Sequence, residues 1–329
     1  YMSEIVINAQ NLSKNFYNFD SRLPFIKRFL KRNQITIRAV QDISFTIKRG
    51  SIVGFSGSNG AGKSTTIKML TGTLYPSSGK LEVNGEIPFK RSINFRKKIS
   101  IVVGNKLQLF QDVSAMDYFQ LIGTLYEVEP AILQERIQEL SNLLNVKDQL
   151  YQQVRTLSLG QKMKMEFIAA SLTSPEILFL DEPTIGLDIQ SKKDIRTFLK
   201  KMNEECHTTI ILTSHDMDDI SSVCDELIVI DKGKIILQES MDVILSKFSD
   251  FKYLKIKMTL DLVPELCSVK GVVVISQTKS ECILKIPRDF VFETLESINK
   301  LVDIEDFEIS NLSLEEIILQ NYFTKKEHN

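Results

Sequence analysis

Neither sign of charge dominates this chain: 41 lysines and arginines face 42 aspartates and glutamates, for a formal net charge of −1. Without an excess of positive charge there is no global argument for nucleic acid or an anionic membrane as the main partner, and no nucleic acid is expected. No apolar run approaches the ~18–20 residues that a membrane-crossing helix needs, and the N-terminal stretch lacks the apolar core of a secretion signal. Tyr1 ahead of Met2 reads as a processing scar. The four cysteines, Cys206, Cys224, Cys267 and Cys282, are widely spaced and form no C-x-x-C pair. They suit buried thiols in a reducing compartment, not a disulfide framework or a zinc site. The expected location is cytoplasmic, with any membrane business conducted through a partner. What remains is ordinary: 329 residues, 43% of them hydrophobic, suffice for a sizeable core and about two domains.

One stretch is not ordinary. Gly57-Ser58-Asn59-Gly60-Ala61-Gly62-Lys63-Ser64-Thr65 has the spacing G-x-x-x-x-G-K-[ST]. Polyphosphate oxygens must be met by several backbone N–H groups at once, and glycines let the chain curl closely enough to do so. Lys63 then reaches the β- and γ-phosphates, and the Ser64 hydroxyl is placed for Mg²⁺. The apolar run Ser51–Ser56 before it predicts a strand, and Thr66–Leu70 after it a helix whose positive end points at the anion. Strand, loop and helix are the setting this motif requires, so the expectation is a nucleotide-binding site.

Around it the chain alternates strands and helices. Ile5–Ala9 predicts an edge strand, Arg38–Val40 and Ile43–Ile47 further strand, and Lys80–Val83 and Ser100–Gly104 two more. From Ser114 to Gln152 the pattern is helical, with Leu133, Ile137, Leu140 and Leu144 at helix spacing. Glu176–Leu180 and Thr209–Thr213 predict buried strands, and Glu226–Ile230 and Lys234–Leu237 a pair joined by a tight turn at Asp231-Lys232-Gly233. Such alternation predicts an α/β domain over residues 1–246 with a helical insertion. Residues 247–329 read as a small α+β unit without a chemical motif: strands near Tyr253–Met258, Gly271–Ile275, Glu281–Ile286 and Ile304–Ile309, and helices near Val291–Ile298 and Ser313–Gln320. Between Arg22 and Arg32, apolar pairs (Phe25/Ile26, Phe29/Leu30) alternate with basic pairs (Lys27/Arg28, Lys31/Arg32). On a helix this makes one apolar and one cationic face, for anionic lipid, for a partner, or for packing on its own domain; the three stay open.

Ile177–Leu180 ends in Asp181-Glu182, where a buried strand delivers one carboxylate to the metal beside the loop and a second to the attacking water. Upstream, Leu157-Ser158-Leu159-Gly160-Gln161 opens a helix, and a Ser hydroxyl with glycine amides at a helix start is a second anion site. This pentapeptide resembles the L-S-G-G-Q signature of ATP-binding-cassette (ABC) ATPases, with Leu159 in place of the first glycine. Its position between the P-loop and the acid strand matches that family. The resemblance extends over residues 3–245. Pro183–Asp188 resembles the D-loop, which brings in Asp188. His215 in Thr213-Ser214-His215-Asp216 resembles the switch histidine, and Phe16, with Tyr17 as second candidate, matches the aromatic that stacks on adenine. His207 and His328 have no such context and read as surface. Asn105 stands where the family carries the Q-loop glutamine; it keeps the amide on a shorter stem, with Gln108 as a nearby substitute.

The resemblance implies an α/β P-loop NTPase cassette: a RecA-like core with a β-subdomain and an inserted helical subdomain, followed by the small α+β domain. It implies an exporter-type ATPase that binds ATP and Mg²⁺ and pairs head to tail with a second copy or a paralogous ATPase subunit. Each site then joins Lys63, Ser64, Asp181, Glu182 and His215 of one subunit to Ser158 and Gly160 of the other. Separately encoded transmembrane permease subunits are the implied partners, with the chain peripheral on the inner face of the cell membrane. A ribosome-directed ABC ATPase would carry two cassettes, but this chain has one P-loop and one signature. A chromosome ATPase would need a long coiled coil, for which the roughly fifty residues from Asn105 to Leu157 are too few. A catalytically dead cassette would lose Glu182 or His215, and both are present.

Overall fold

The computed structural model describes residues 4–19, 34–249, 251–257, 272–278, 281–301, 306–310 and 314. The chain divides into two compact units, Tyr1–Glu239 and Ser240–Asn329. The basic segment Arg22–Arg32, His328 and nearly all of the helix expected at Ser313–Gln320 lie outside the described residues.

The first unit is built on a six-stranded sheet: β3 (Ile52–Ser56), β5 (Ile99–Val103), β6 (Ile177–Asp181), β7 (Thr209–Thr213), β8 (Glu226–Asp231) and β9 (Lys234–Ser240). Their spatial order is β5-β6-β7-β3-β8-β9, and the pairings from β5 through β8 are parallel. β3 and β7 are buried at every residue. That is why these runs are uniformly apolar: a parallel sheet is covered on both faces. β8 and β9 meet at Lys232 and Gly233, both at positive φ, the turn that suits a two-residue hairpin.

A second, antiparallel sheet holds β1 (Ile5–Phe19), β2 (Gln34–Lys48) and β4 (Ser78–Val83) in the order β2-β1-β4. Here the structure corrects the sequence reading. β1 is the central strand, not an edge, because Ile7 pairs with Ile47 on one side and with Val83 on the other. Local alternation reports which face is buried but not which strands lie alongside.

Among the described residues the unit's α-helices are α1 (Lys63–Leu70), α2 (Ile93–Lys98), α3 (Ala115–Leu125), α4 (Pro130–Leu143), α5 (Leu159–Ser171), α6 (Ile189–Cys206) and the short α7 (Met217–Val223) after β7. α3 and α5 each start with a capping box, Ser114 with Asp117 and Ser158 with Gln161. α5 is buried on several sides, through Met163, Met165, Phe167 and Ile168. Phe167 meets Phe198 of α6 edge to face, ring centroids 5.6 Å apart.

The second unit contains α8 (Met241–Ser249) and a four-stranded antiparallel sheet. Its strands are β10 (Phe251–Lys257), β11 (Val273–Gln277), β12 (Glu281–Pro287) and β13 (Asp306–Ser310), and their spatial order is β11-β12-β10-β13. This is the strand order of the split β-α-β layout. Leu254, Ile256, Cys282, Leu284 and Ile286 alternate onto one face, where Val291 and Leu295 of α9 (Val291–Leu301) join them in a core.

Candidate active site

β6, β7 and β3 run parallel and adjacent, so the loops at their C-terminal ends converge. The register sets Asp181 beside Thr213, and Thr213 beside Phe55. Residues from three distant parts of the sequence thereby share one site.

After β3 the chain closes a loop with Ala61 N–H donating to the Ser58 carbonyl at 3.0 Å. Gly62 caps α1 at φ 114°, and a Cβ there would lie 2.6 Å from the Ala39 carbonyl oxygen, so only glycine fits between helix start and β2. Lys63 is 5% exposed; its ammonium donates to the Gly57 carbonyl at 2.6 Å and the Ser58 carbonyl at 3.4 Å. A buried cation is thus held inside a loop of backbone amides, the chemistry a polyphosphate needs.

Asp181 at the end of β6 accepts from the Ser64 hydroxyl at 2.9 Å and the Thr213 hydroxyl at 2.7 Å, on the same oxygen. Among the described residues no three His, Cys, Asp or Glu side chains converge as an all-protein metal cage. The Ser64–Asp181 pair instead supplies two hard oxygens, which suit Mg²⁺, a cation that fills its other positions with water and phosphate oxygens. The donor set fits that ion.

Glu182 turns sharply out of the strand at φ 52°. Its N–H donates to the Thr213 carbonyl at 3.1 Å and the Thr213 hydroxyl at 3.0 Å, which holds a conformation uncommon outside glycine. The turn sets the Glu182 carboxylate between two partners: Lys63 Nζ lies 3.8 Å from one oxygen and His215 Nδ1 2.5 Å from the other. Lys63, Glu182 and His215 therefore form one cluster, with Ser64, Asp181 and Thr213 beside it. Thr213 is the member that sequence reasoning missed; the available signal was a polar residue ending an otherwise apolar buried strand.

Asn105 lies in an exposed turn after β5, one residue beyond Gly104, whose N–H donates to the Asp181 carbonyl at 2.9 Å. Gln108, the nearby alternative, has its side chain engaged elsewhere. The Gln108 side-chain amide donates to the Ile101 carbonyl at 2.8 Å, and the residue lines a cleft of about 350 Å³ with Arg91, Arg96, Tyr118 and Glu166. Phe16 pairs with Ile37 and Tyr17 with Thr36 on the hairpin that packs its Ala39 and Val40 against Gly62. Both aromatic rings are exposed, and the Lys14 ammonium lies 5.3 Å from the Phe16 ring centre.

Ser158, Gly160 and Gln161 are not bonded to the Lys63–Glu182–His215 cluster. Ser158 Oγ accepts from Gln161 N–H at 3.2 Å, and Gln161 Oε1 accepts from Ser158 N–H at 2.9 Å. As an acceptor here, the Ser158 hydroxyl keeps its proton for another oxygen. A Cβ on Gly160 would meet Ser191 Oγ at 2.2 Å, so this glycine is what lets the start of α5 approach the start of α6. Asp188 caps α6, accepting from the Ser191 N–H and hydroxyl at 2.8 and 2.7 Å, and these bonds hold its carboxyl below the usual range. The segments at Ser158–Gln161 and Asp188–Ser191 thus lie side by side, with Leu159 and Ile189 exposed beside them. Lys192 of α6 reaches Asp216, next to His215, at 2.5 Å.

Residues 40–185 match the ABC transporter family. The chain is 32% identical to the ABC transporter ATP-binding protein NatA of Bacillus subtilis over 216 residues, 66% of this chain and 87% of that protein. It is 34% identical to the linearmycin resistance ATP-binding protein LnrL of Bacillus subtilis over 60% of this chain, a match that spans 63% of that protein's length. Among solved structures it is similar to cbiO1 of Clostridium perfringens, part of the ABC transporter complex cbiONQ. The TM-score is 0.62 at 26% identity, covering 74% of this chain and 92% of that one. With the Gly57–Thr65 loop and the Asp181-Glu182 strand end side by side at the C-terminal ends of neighbouring strands, and both inside the matched residues 40–185, the chain belongs to the ABC transporter family, as an ATP-binding and ATP-hydrolysing subunit.

Proposed function

We propose that two such cassettes close head to tail on two ATP molecules and drive export through separate transmembrane subunits, at the inner face of the membrane. The observation that carries the chemistry is the Glu182 carboxylate held between Lys63 and His215. Lys63 and the amides of Ser58–Thr65 bind and orient the β- and γ-phosphates. Ser64 and Asp181 would hold Mg²⁺, and the charge neutralisation on the phosphate oxygens is what the ion would supply there. Glu182 accepts a proton from the attacking water, and His215 steadies that carboxylate and faces the γ-phosphate. Ser158 and Gly160 of the opposite subunit complete the site, Ser158 through its hydroxyl proton and Gly160 through its N–H. Asn105 reports the state of the site to the partner, and Phe16 stacks on the adenine. The cleft beside Gln108 receives a coupling segment of the membrane subunit, and closure and opening of the pair move that segment.

Among the described residues no helix is long and apolar enough to cross a membrane, so the transmembrane path belongs to a partner on this reading. The test is affinity capture of the tagged chain from detergent-solubilised membranes, with and without Glu182→Gln. A co-purifying polytopic membrane protein, enriched by Glu182→Gln with ATP, supports the reading. Recovery of ribosomes or DNA-associated proteins instead retains the ATPase and overturns the exporter.

A further inference from the structure

Glu166 is a carboxylate in an unexpected place. It lies on α5, eight positions after Ser158, where Met163 and Phe167 around it are apolar and buried, and it is itself only 4% exposed. One of its oxygens accepts two consecutive backbone N–H groups, from Gln108 and from Leu109, the latter at 2.8 Å. Those amides belong to the loop that begins at Asn105. The other end of the loop is tied to the sheet through Gly104 N–H to Asp181 and Lys106 N–H to Val103, at 2.9 and 3.1 Å. Asn105 is thus held between the acid strand on one side and Glu166 on the other.

A buried carboxylate is costly unless it is paired or hydrogen-bonded. Among the described residues no cation forms an ion pair with Glu166. What it has instead are the two amides, bonds of the charge-assisted kind that are about twice as strong as neutral ones. Arg91, Arg96 and Tyr118 line the same cleft of about 350 Å³ as Glu166. Burial pushes the Glu166 carboxyl above the usual range against the pull of the two amides, and burial followed by the Glu166 charge pushes the Tyr118 phenol up.

We propose that Glu166 is a positioning residue that fastens the loop after Asn105 to the signature helix, so that a segment seated in the cleft moves Asn105 and Ser158 together. The seated segment rests on the transporter reading above; the tie itself does not. A carboxylate suits this task because it grips two amides at once and because its helix carries Ser158 at its start.

The test uses the purified full chain with MgATP. In Glu166→Ala, hydrogen exchange at the Gln108 and Leu109 amides rises about tenfold or more, since the acceptor is gone. ATP hydrolysis falls about tenfold in kcat while KM stays within about twofold, as for a group that acts on the closed pair and not on ATP uptake. Glu166→Gln keeps an acceptor and most of kcat. It also removes one feature of the wild-type pH profile: a decline, as pH falls, that begins above the range of an ordinary glutamate. The anion is the better acceptor and its pKa is raised, so protonation on the acid side weakens the tie. Wild-type exchange at both amides in Glu166→Ala overturns the proposal. Should Glu166→Ala not fold, a Glu166→Gln pH profile identical to wild type overturns it equally. Failure to capture a membrane subunit removes the transporter reading and leaves the exchange result standing, so the two failures are distinguishable.

Discussion

Thr213 shows how much a single hydroxyl can hold. It donates to Asp181 and accepts from the Glu182 N–H, so it sets the spacing of the two acids. Thr213→Val keeps the shape and removes both bonds; it is expected to lower kcat about tenfold and raise the Mg²⁺ needed for half-maximal ATPase, checked by metal titration. Lys63→Ala takes the buried ammonium out of the loop and is expected to weaken ATP binding about a hundredfold, measured with a fluorescent nucleotide. Glu182→Gln keeps the side chain's shape but cannot take a proton from water. Binding is expected to persist while hydrolysis drops about a hundredfold or more, the usual contribution of a general base. Full hydrolysis by Glu182→Gln would remove that residue from the role. Asn105→Ala should uncouple hydrolysis from the membrane partner; stimulated turnover equal to wild type counts against Asn105 as the coupling residue.

Between elements, Lys164 of α5 bonds Asp194 of α6, 2.5 Å apart and buried. Gln190 also donates to Asp194, at 2.8 Å. Desolvation makes such a pair a weak source of net stability, yet breaking one half is expensive. Lys164→Met is therefore expected to cost about 3–5 kcal/mol, and the double variant Lys164→Met/Asp194→Leu to recover most of it, read from urea midpoints. A second link joins the two sheets: Arg49 bonds Glu176 at 2.7 Å and Asn84 at 2.8 Å. Burial raises the Glu176 carboxyl, but Arg49 and Lys98, bonded to it at 2.7 and 3.0 Å, outweigh burial and leave the group below its usual value. A depressed carboxylate contributes stability above its unfolded pKa and loses it as pH falls through the folded one. Arg49→Met should then lower the urea midpoint at pH 7 and narrow its fall between about pH 5 and pH 3.

At the scale of the whole molecule, each unit has a hydrophobic core of its own. A chain ending at Glu239 is expected to fold and to bind ATP within about threefold of the full protein, because independent cores make independent folding units. Loss of ATP binding on truncation would make the second unit part of the site. Removal of residues 22–32 tests the basic segment: membrane-complex recovery should fall while nucleotide affinity stays unchanged. Normal recovery would assign that segment to packing on its own domain.

Phosphate chemistry was readable in the linear order of residues because it is contiguous. A loop of amides needs glycines at fixed spacing before a Lys and a Ser, and a buried strand that ends in two acids advertises itself by an apolar run. Gly57–Thr65, Asp181, Glu182 and the Ser158–Gln161 helix start are all of this local kind, and the alternation of strands and helices announced the α/β class. Side-by-side order was not readable. That β6, β7 and β3 are neighbours, that β1 is central, and that Gln108 turns to the cleft and not to the acids depends on pairings between residues far apart in sequence. Thr213 and Glu166 draw their meaning from those pairings. The chain alone determined which chemistry is present; tertiary packing decided which groups meet, because hydrogen bonds and burial act through space and not along the backbone.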